Sequence, residues 1–321
     1  MLGSALEEQL RKAGESYVSS DREVDITDSH AVQKFLHTHW SRVRPLRWIV
    51  NCAAYTAVDQ AEDEPDLAAR LNSLGPKNLA AAAALSTVAP QGAALIHVST
   101  DYVFDGEKES GYRESDSPRP ISIYGRTKWA GEAAVQRAGI PYYIVRTAWL
   151  FGERGPNFPA TMLRLFEAGQ EVRVVDDQWG CPTYAGDLAE ALHRIIQIEG
   201  RAAPGIYHFT NSGITSWYQF AREIYAQARQ LDLVSDGSSI TPVSGREYPT
   251  KARRPRYSIL HTEKIRNALD IDIRSYQDAL RSYLLTIKSE RNSPWLPAAP
   301  ASSAPTSSVI SSAGRSVADA F

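Results

Sequence analysis

The chain has 321 residues, 43% of them hydrophobic, and a formal net charge of −2. It can bury one large core or two smaller ones, and it lacks the bulk positive charge of a nucleic-acid or anionic-membrane binder. Two distant cysteines, Cys52 and Cys181, exclude a disulfide framework and any Cys/His metal spacing, so a reduced, cytoplasmic setting is expected.

Gly3 to Ala13 is predicted to be an amphipathic helix, with Leu6 and Leu10 four apart. Met1 to Arg11 has no signal-peptide core, and no apolar run in the chain approaches membrane-spanning length. Glu15 to Ser20 is predicted as a short strand, followed by the polar turn Asp21-Arg22-Glu23, and Asp28 to Trp40 as a helix. Trp48 to Ala54 is a buried strand running into small residues. Ala61 to Ala84 is an alanine-rich helix, Leu95 to Ser99 a strand, Lys128 to Arg137 part of a helix, and Tyr142 to Arg146 a strand. This alternation predicts an α/β fold: a Rossmann-like, doubly wound parallel sheet with helices on both faces.

From Phe151 the pattern changes. Helices are expected at Phe158 to Glu167, Gly186 to Ile198, after Ser216 as N-cap, and from Thr262 through Leu285. Strands are expected at Val172 to Val175 and Gly205 to Phe209. The implied organisation is a dinucleotide-binding domain at 1–150 with 185–203 returning to it, and a smaller substrate domain at 151–184 and 204–287. Residues 294–321 are Ala, Ser and Pro without periodicity and are expected to be a disordered tail.

The chemistry concentrates at Tyr124-Gly125-Arg126-Thr127-Lys128. A tyrosine and a lysine four apart share a helix face. A nearby ammonium lowers a phenol pKa from about 10, so the phenol can exchange a proton near neutrality. Upstream, Leu95 to Val98 runs into Ser99-Thr100-Asp101-Tyr102, which puts a hydroxyl at a strand's C-terminal end, where open α/β sheets place their sites.

Taken together, Asn51 to Asp59, Ser99 to Gly106, Tyr124 to Lys128, Arg146 to Trp149, Asp177 to Thr183 and Ala252 to Ser258 resemble the dTDP-4-dehydrorhamnose reductase family of extended short-chain dehydrogenases/reductases. The motifs run in the family's order from about Gly3 to Leu285. The resemblance implies reduction of the C4 ketone of dTDP-4-dehydro-β-L-rhamnose with NADPH or NADH. It implies Tyr124 as general acid, Lys128 as its electrostatic partner and holder of the nicotinamide ribose, and Thr100 as hydrogen-bond donor to the developing oxyanion. Asp101, Tyr102 and Trp149 would contact the sugar, and Arg253 and Arg256, with Arg254 as a further candidate, the diphosphate. Related dehydratases carry Glu where Tyr102 stands, so simple reduction is favoured over elimination, and epimerisation is disfavoured too. The alternative is a non-catalytic regulatory protein, since the β subunit of methionine adenosyltransferase is similar to this family.

For the cofactor, the resemblance implies Ala54, Tyr55 and Thr56 passing beneath it, Asp21 and Arg22 at the adenosine ribose, and Asp25 and Ile26 flanking the adenine. Asp21 and Arg22 together do not choose between NADH and NADPH. The family opens with a strand and a Gly-x-x-Gly-x-x-Gly loop that presents backbone N–H groups to the pyrophosphate. Here Met1-Leu2-Gly3 matches only its last glycine, Gly3. The expectation is a coding sequence that continues upstream, with loss of cofactor binding as the alternative. Some relatives pair through magnesium held by a Glu on the first helix. Ala5 stands there, so no metal is expected, and a homodimer stays an open assignment.

Overall fold

The computed structural model describes residues 1–292 apart from 42, 44, 86, 88, 90, 91, 199 and 200, so the tail expected at 294–321 lies outside the described residues. The first half comprises α1 (Leu2–Lys12), α2 (Ser29–His39), β1 (Trp48–Asn51), α3 (Pro65–Ala69), a π turn (Arg70–Leu74), α4 (Gly75–Ala83), β2 (Ala94–Thr100), α5 (Ile123–Gln136) and β3 (Tyr142–Thr147). It is followed by β4 (Leu150–Phe151), α6 (Phe158–Glu167), β5 (Val172–Val175), β6 (Trp179–Gly180), β7 (Thr183–Tyr184), α7 (Ala185–Gln197), β8 (Gly205–His208), β9 (Thr215–Ser216), α8 (Trp217–Gln230), β10 (Ile240–Val243), β11 (Tyr257–Ser258), α9 (Glu263–Leu269) and α10 (Tyr276–Arg291).

β1, β2, β3 and β8 pair in that order, all parallel. A parallel sheet is covered on both faces, which is why β2 and β3 read as nearly continuous apolar runs. Ile96, Tyr143, Val145 and Tyr207 face the leucine stripes of α1 and α7: Leu2, Leu6, Leu10, Leu188 and Leu192. Leu95 and Ile144 point the other way, against Ala80 of α4 and Val135 of α5. The expected doubly wound α/β class is the one observed. A second core joins α6, α8 and α10 through Phe158, Met162, Phe166, Phe220, Ile224 and Leu280.

Three local features depart from the sequence reading. Glu15 to Ser20 forms no strand, and among the described residues β1 pairs only with β2. Backbone without a ladder neighbour turns to water instead, and this segment is mostly exposed. The chain from 204 is expected in the substrate domain, yet β8 completes the main sheet against β3, and Ile265 and Leu269 of α9 join the core beneath it. Finally, Ala61 to Ala84 is not one helix. Pro65 opens α3, Gly75-Pro76 opens α4, and the π turn lies between them.

That π turn carries Asn72 fully inward. Asn72 Oδ1 accepts from Tyr55 N at 2.8 Å, and Nδ2 donates to Tyr55 O and to Thr127 Oγ1, each at 3.1 Å. α5 approaches so closely that a Cβ on Gly131 would lie 2.1 Å from the Asn72 carbonyl oxygen, and one on Gly125 2.1 Å from that of Tyr102. Backbone cannot yield like the end of a flexible side chain. Gly131→Ala is therefore expected to lower the unfolding free energy by roughly 1–3 kcal/mol in a urea titration.

Among the described residues, no helix is long and apolar enough to cross a membrane, and no group of three His, Cys, Asp or Glu side chains could hold a metal ion.

Candidate active site

β2 ends at Thr100 and runs into a short 3₁₀ turn, Asp101–Val103. Thr100 Oγ1 accepts from Tyr102 N at 3.2 Å and donates to Asp101 Oδ1 at 2.9 Å. Facing it, α5 starts at the N-cap Ser122, whose Oγ accepts from Gly125 N at 3.1 Å, while Glu62 Oε1 accepts from Ile123 N at 2.7 Å. Tyr124 therefore sits on the first turn of α5. Its ring is buried and edge-on to Tyr102, with centroids 5.5 Å apart, and its phenol is close enough to the Thr100 hydroxyl to feel it. One turn further, the buried Lys128 donates from Nζ to Val98 O at 2.7 Å. The fold thus brings Thr100, Tyr124 and Lys128 together at the C-terminal end of the sheet.

The electrostatics differ from the sequence expectation. Burial pushes the Tyr124 phenol up rather than Lys128 drawing it down. The ammonium is turned to the Val98 carbonyl, and burial lowers Lys128 itself to about 8 against the opposing charges of Glu132 and Cys52. A raised phenol stays protonated across the physiological range, which suits a proton donor better than a base.

α5 is held to the sheet by a buried ion pair. Arg146 on β3 donates to Glu132 from Nε at 2.9 Å and from Nη2 at 2.7 Å, with both side chains 1% exposed. The Arg146 guanidinium also lies over the Phe104 ring, 5.0 Å from its centroid.

At the end of β1, Asn51 meets His97 Nδ1 at 3.1 Å and accepts from Ala53 N at 3.0 Å, which shapes the start of the Ala54-Tyr55-Thr56 turn. Burial holds His97 neutral, well below its ordinary range, in keeping with a structural role. Tyr55 is fixed at its backbone by Asn72 and at its hydroxyl, which donates to Glu64 Oε2 at 2.7 Å. Gly3 lies in the first turn of α1, where a Cβ would be 4.0 Å from that of Cys52, so the N-terminal end of α1 stands at the C-terminal end of β1. Asp21 and Arg22 are exposed in a turn, with Asp21 N donating to Glu23 Oε1 at 2.9 Å. Asp25 Oδ1 accepts from Thr27 N at 2.8 Å, and Ile26 packs beside Gly75 while its carbonyl accepts from Asn78 at 3.0 Å.

On the other side, Trp149 takes a left-handed backbone (φ 48°), which is strained for a bulky residue. Its indole stacks on Trp217 of α8 at 3.5 Å and 6°, and Nε1 donates to Ser258 Oγ at 3.1 Å. Opposite lies Gly180, where a Cβ would come within 2.5 Å of the ring. Arg253 and Arg256 line an open cleft of about 940 Å³ together with Arg246, Gln178 and Tyr248. Arg254 does not act as a free phosphate ligand here. It is paired bidentately with Asp59 at 3.0 and 2.8 Å, and Asp59 also accepts from Ala252 N at 2.8 Å. Burial works against ionisation of Asp59, but these hydrogen bonds outweigh it and hold the carboxyl below its usual range. The loop after β1 is thereby tied to the loop before β11.

Sequence reasoning missed Asn72, Arg246 and Tyr248. Asn72 had a signal: a polar, weakly helix-forming residue within an alanine-rich run. Arg246 and Tyr248 had none, because only the folded loop brings them to the cleft.

A doubly wound parallel sheet with Thr, Tyr and Lys gathered at its C-terminal edge defines an extended short-chain dehydrogenase/reductase. The family model described as the RmlD substrate binding domain matches residues 1–289. The dTDP-4-dehydrorhamnose reductase of Mycolicibacterium smegmatis is 37% identical over 94% of this chain and 87% of its own, and that of Streptomyces griseus is 41% identical over 87% and 88%. The crystal structure of the Bacillus anthracis dTDP-4-dehydrorhamnose reductase in complex with NADP superimposes with a TM-score of 0.79 at 37% identity, covering 89% of this chain and 95% of that one. The chain belongs to the dTDP-4-dehydrorhamnose reductase family. The UDP-glucose 4-epimerase of Thermotoga maritima, 18% identical with a TM-score of 0.72, shares the fold alone.

Proposed function

We propose that this protein reduces the C4 ketone of dTDP-4-dehydro-β-L-rhamnose with NADPH, forming dTDP-β-L-rhamnose. The observation that carries this is the buried Tyr124 phenol beside the buried Thr100 hydroxyl, with Lys128 one turn behind it.

The residues present fit a nicotinamide dinucleotide. The turn after β1 is small and held open by Asn51 and Asn72, and the α1 N-terminus stands beside it. Lys128 would hold the nicotinamide ribose, with Ala54, Tyr55 and Thr56 beneath the cofactor. Gly3 would face the pyrophosphate, Asp21 and Arg22 the adenosine ribose and its phosphate, and Asp25 and Ile26 the adenine. When bound, NADPH supplies the hydride for the carbonyl carbon. Tyr124 donates its phenolic proton to the oxygen as negative charge builds there, and the Thr100 hydroxyl hydrogen-bonds the same oxygen. Tyr102 lines the pocket and brings no carboxyl for elimination, and Asp101 stands behind Thr100. Trp149 walls the sugar site, while Arg253 and Arg256 take the diphosphate. The regulatory-subunit alternative gives no reason for this buried hydroxyl–phenol–ammonium set. A cytoplasmic location and a homodimer belong to this reading through the family.

The test is cofactor oxidation by the purified protein with dTDP-4-dehydro-β-L-rhamnose, offering NADPH and NADH in turn. Turnover favouring NADPH is expected, and a folded protein that turns over neither would overturn the reading. Arg253→Ala and Arg256→Ala should each raise KM for the sugar nucleotide about tenfold, about 1.4 kcal/mol, with kcat nearly unchanged.

A further inference from the structure

We propose that Asp101 is a positioning residue whose neutral carboxyl turns the Thr100 hydroxyl proton toward the reacting oxygens. This rests on the reductase reading above.

The Asp101 side chain is 3% exposed. Oδ1 meets Thr100 Oγ1 at 2.9 Å, and Oδ2 is buried with no hydrogen-bond partner. The groups facing it are Thr100, Ser258 of β11, the rings of Tyr102 and Tyr124, and Cys181. None of these carries positive charge. The nearby cations are committed elsewhere, Lys128 to Val98 O and Arg254 to Asp59. A carboxylate buried without a cation is costly, so the neutral acid is favoured. Burial pushes Asp101 up to about 7, against the opposing influence of the Thr100 hydrogen bond and of the nearby Ser258 hydroxyl.

The consequence for Thr100 follows from counting lone pairs. Its hydroxyl has one proton and two acceptor sites. Tyr102 N–H occupies one acceptor site at 3.2 Å. When Asp101 is ionised, the hydroxyl proton is committed to Oδ1 and cannot serve the substrate. When Asp101 is neutral, its O–H donates to the second acceptor site, and the Thr100 proton is free to point at the Tyr124 phenol oxygen and the substrate carbonyl beside it. No covalent bond changes at Asp101.

The protonation state can be read without substrate. Infrared titration of the whole protein should show a neutral-carboxyl C=O band that disappears as pH rises through about 7 and is missing from Asp101→Asn, whereas any contribution of Glu114, also raised by burial, is the same in both proteins and cancels in their difference. Thr100→Val removes a donor that favours the ionised form, so it should move that midpoint upward. In turnover, wild-type kcat should fall about tenfold per pH unit above the midpoint. Asp101→Asn should lose that limb, because its amide N–H donates to Thr100 at every pH, and it should keep only a limb from Lys128 near 8. Thermal stability gives a third readout. The folded pKa lies above the unfolded value of 3.8, so the stability contributed by Asp101 is full below that value and is lost as pH rises through about 7. Asp101→Asn should therefore raise Tm on the alkaline side and leave it little changed in acid. An Asp101-dependent band absent throughout the neutral range, or a midpoint unmoved in Thr100→Val, would sink the proposal whatever the enzyme reduces. If the titration behaves as expected but no substrate turns over, the reductase reading is what fails.

Discussion

Tyr124→Phe is expected to lower kcat by roughly 10²–10⁴-fold while KM for the sugar nucleotide changes only a few-fold, the pattern of a lost proton donor. The substitution removes one oxygen and keeps the ring, and that ring is packed among Val58, Ala61, Ala68 and Ala252. Phenylalanine fills the same space, so Tm should hold and the loss can be assigned to chemistry. What disappears is the hydroxyl beside Thr100, and with it the only acid that the first turn of α5 offers to the C-terminal end of β2 among the described residues. At about 1.4 kcal/mol per tenfold, the expected loss is about 3–6 kcal/mol of transition-state stabilisation. A variant with wild-type kcat would remove Tyr124 from the mechanism.

Glu132→Ala is expected to destabilise the fold by about 3–5 kcal/mol, because it leaves the Arg146 guanidinium buried without its carboxylate. The remaining neighbours of Arg146 cannot compensate. Phe104 offers a ring face, and His208 stands 3.5 Å away, its imidazole held neutral, well below its ordinary range, chiefly by burial and secondarily by Arg146 itself. Replacing both partners with Leu and Met should recover much of the loss, since an apolar pair pays no desolvation. Chemical denaturation of the two single variants and the double variant measures this. The pair also pins α5 beside β3, in register with β2, so Glu132→Ala should cost kcat even at temperatures where the variant stays folded.

Much of this was legible in the chain. The apolar runs of β2 and β3 announced a doubly covered parallel sheet, and the leucines of α1 announced its helical cover. Thr100, Tyr124 and Lys128 could be read because strand ends and i,i+4 spacing are local properties. Other features depend on contacts that spacing does not encode. The sequence shows Tyr124 four residues from Lys128, but not that the lysine's ammonium turns to the Val98 carbonyl and leaves burial to set the phenol. Arg254 looks like its neighbours Arg253 and Arg256 until Asp59, 195 residues away, is placed beside it. Glu15 to Ser20 has the composition of a strand, and a strand exists only where a neighbour supplies its hydrogen bonds.

The π turn at Arg70–Leu74 has a consequence for how this chain can change length. A helix with one residue too many for its span stores the surplus as a single wide turn, and here that turn is what aims Asn72 at Tyr55. Deleting one residue between Arg70 and Leu74 would restore ordinary winding with the helix that follows still in phase, and the wide turn that aims Asn72 would be gone. The helix that follows is fixed in place, because Gly75 is seated against Ile26 and Asn78 holds the carbonyls of Ile26 and Thr27. Loss of one residue here is therefore felt at Asn72 rather than further along the helix. Chains that keep Asn72 inward must keep the surplus residue, whereas the loop from Glu15 to Ser20 is restrained by no ladder and is held by side chains, Glu15 on His193 and Tyr17 on the Glu7 carbonyl.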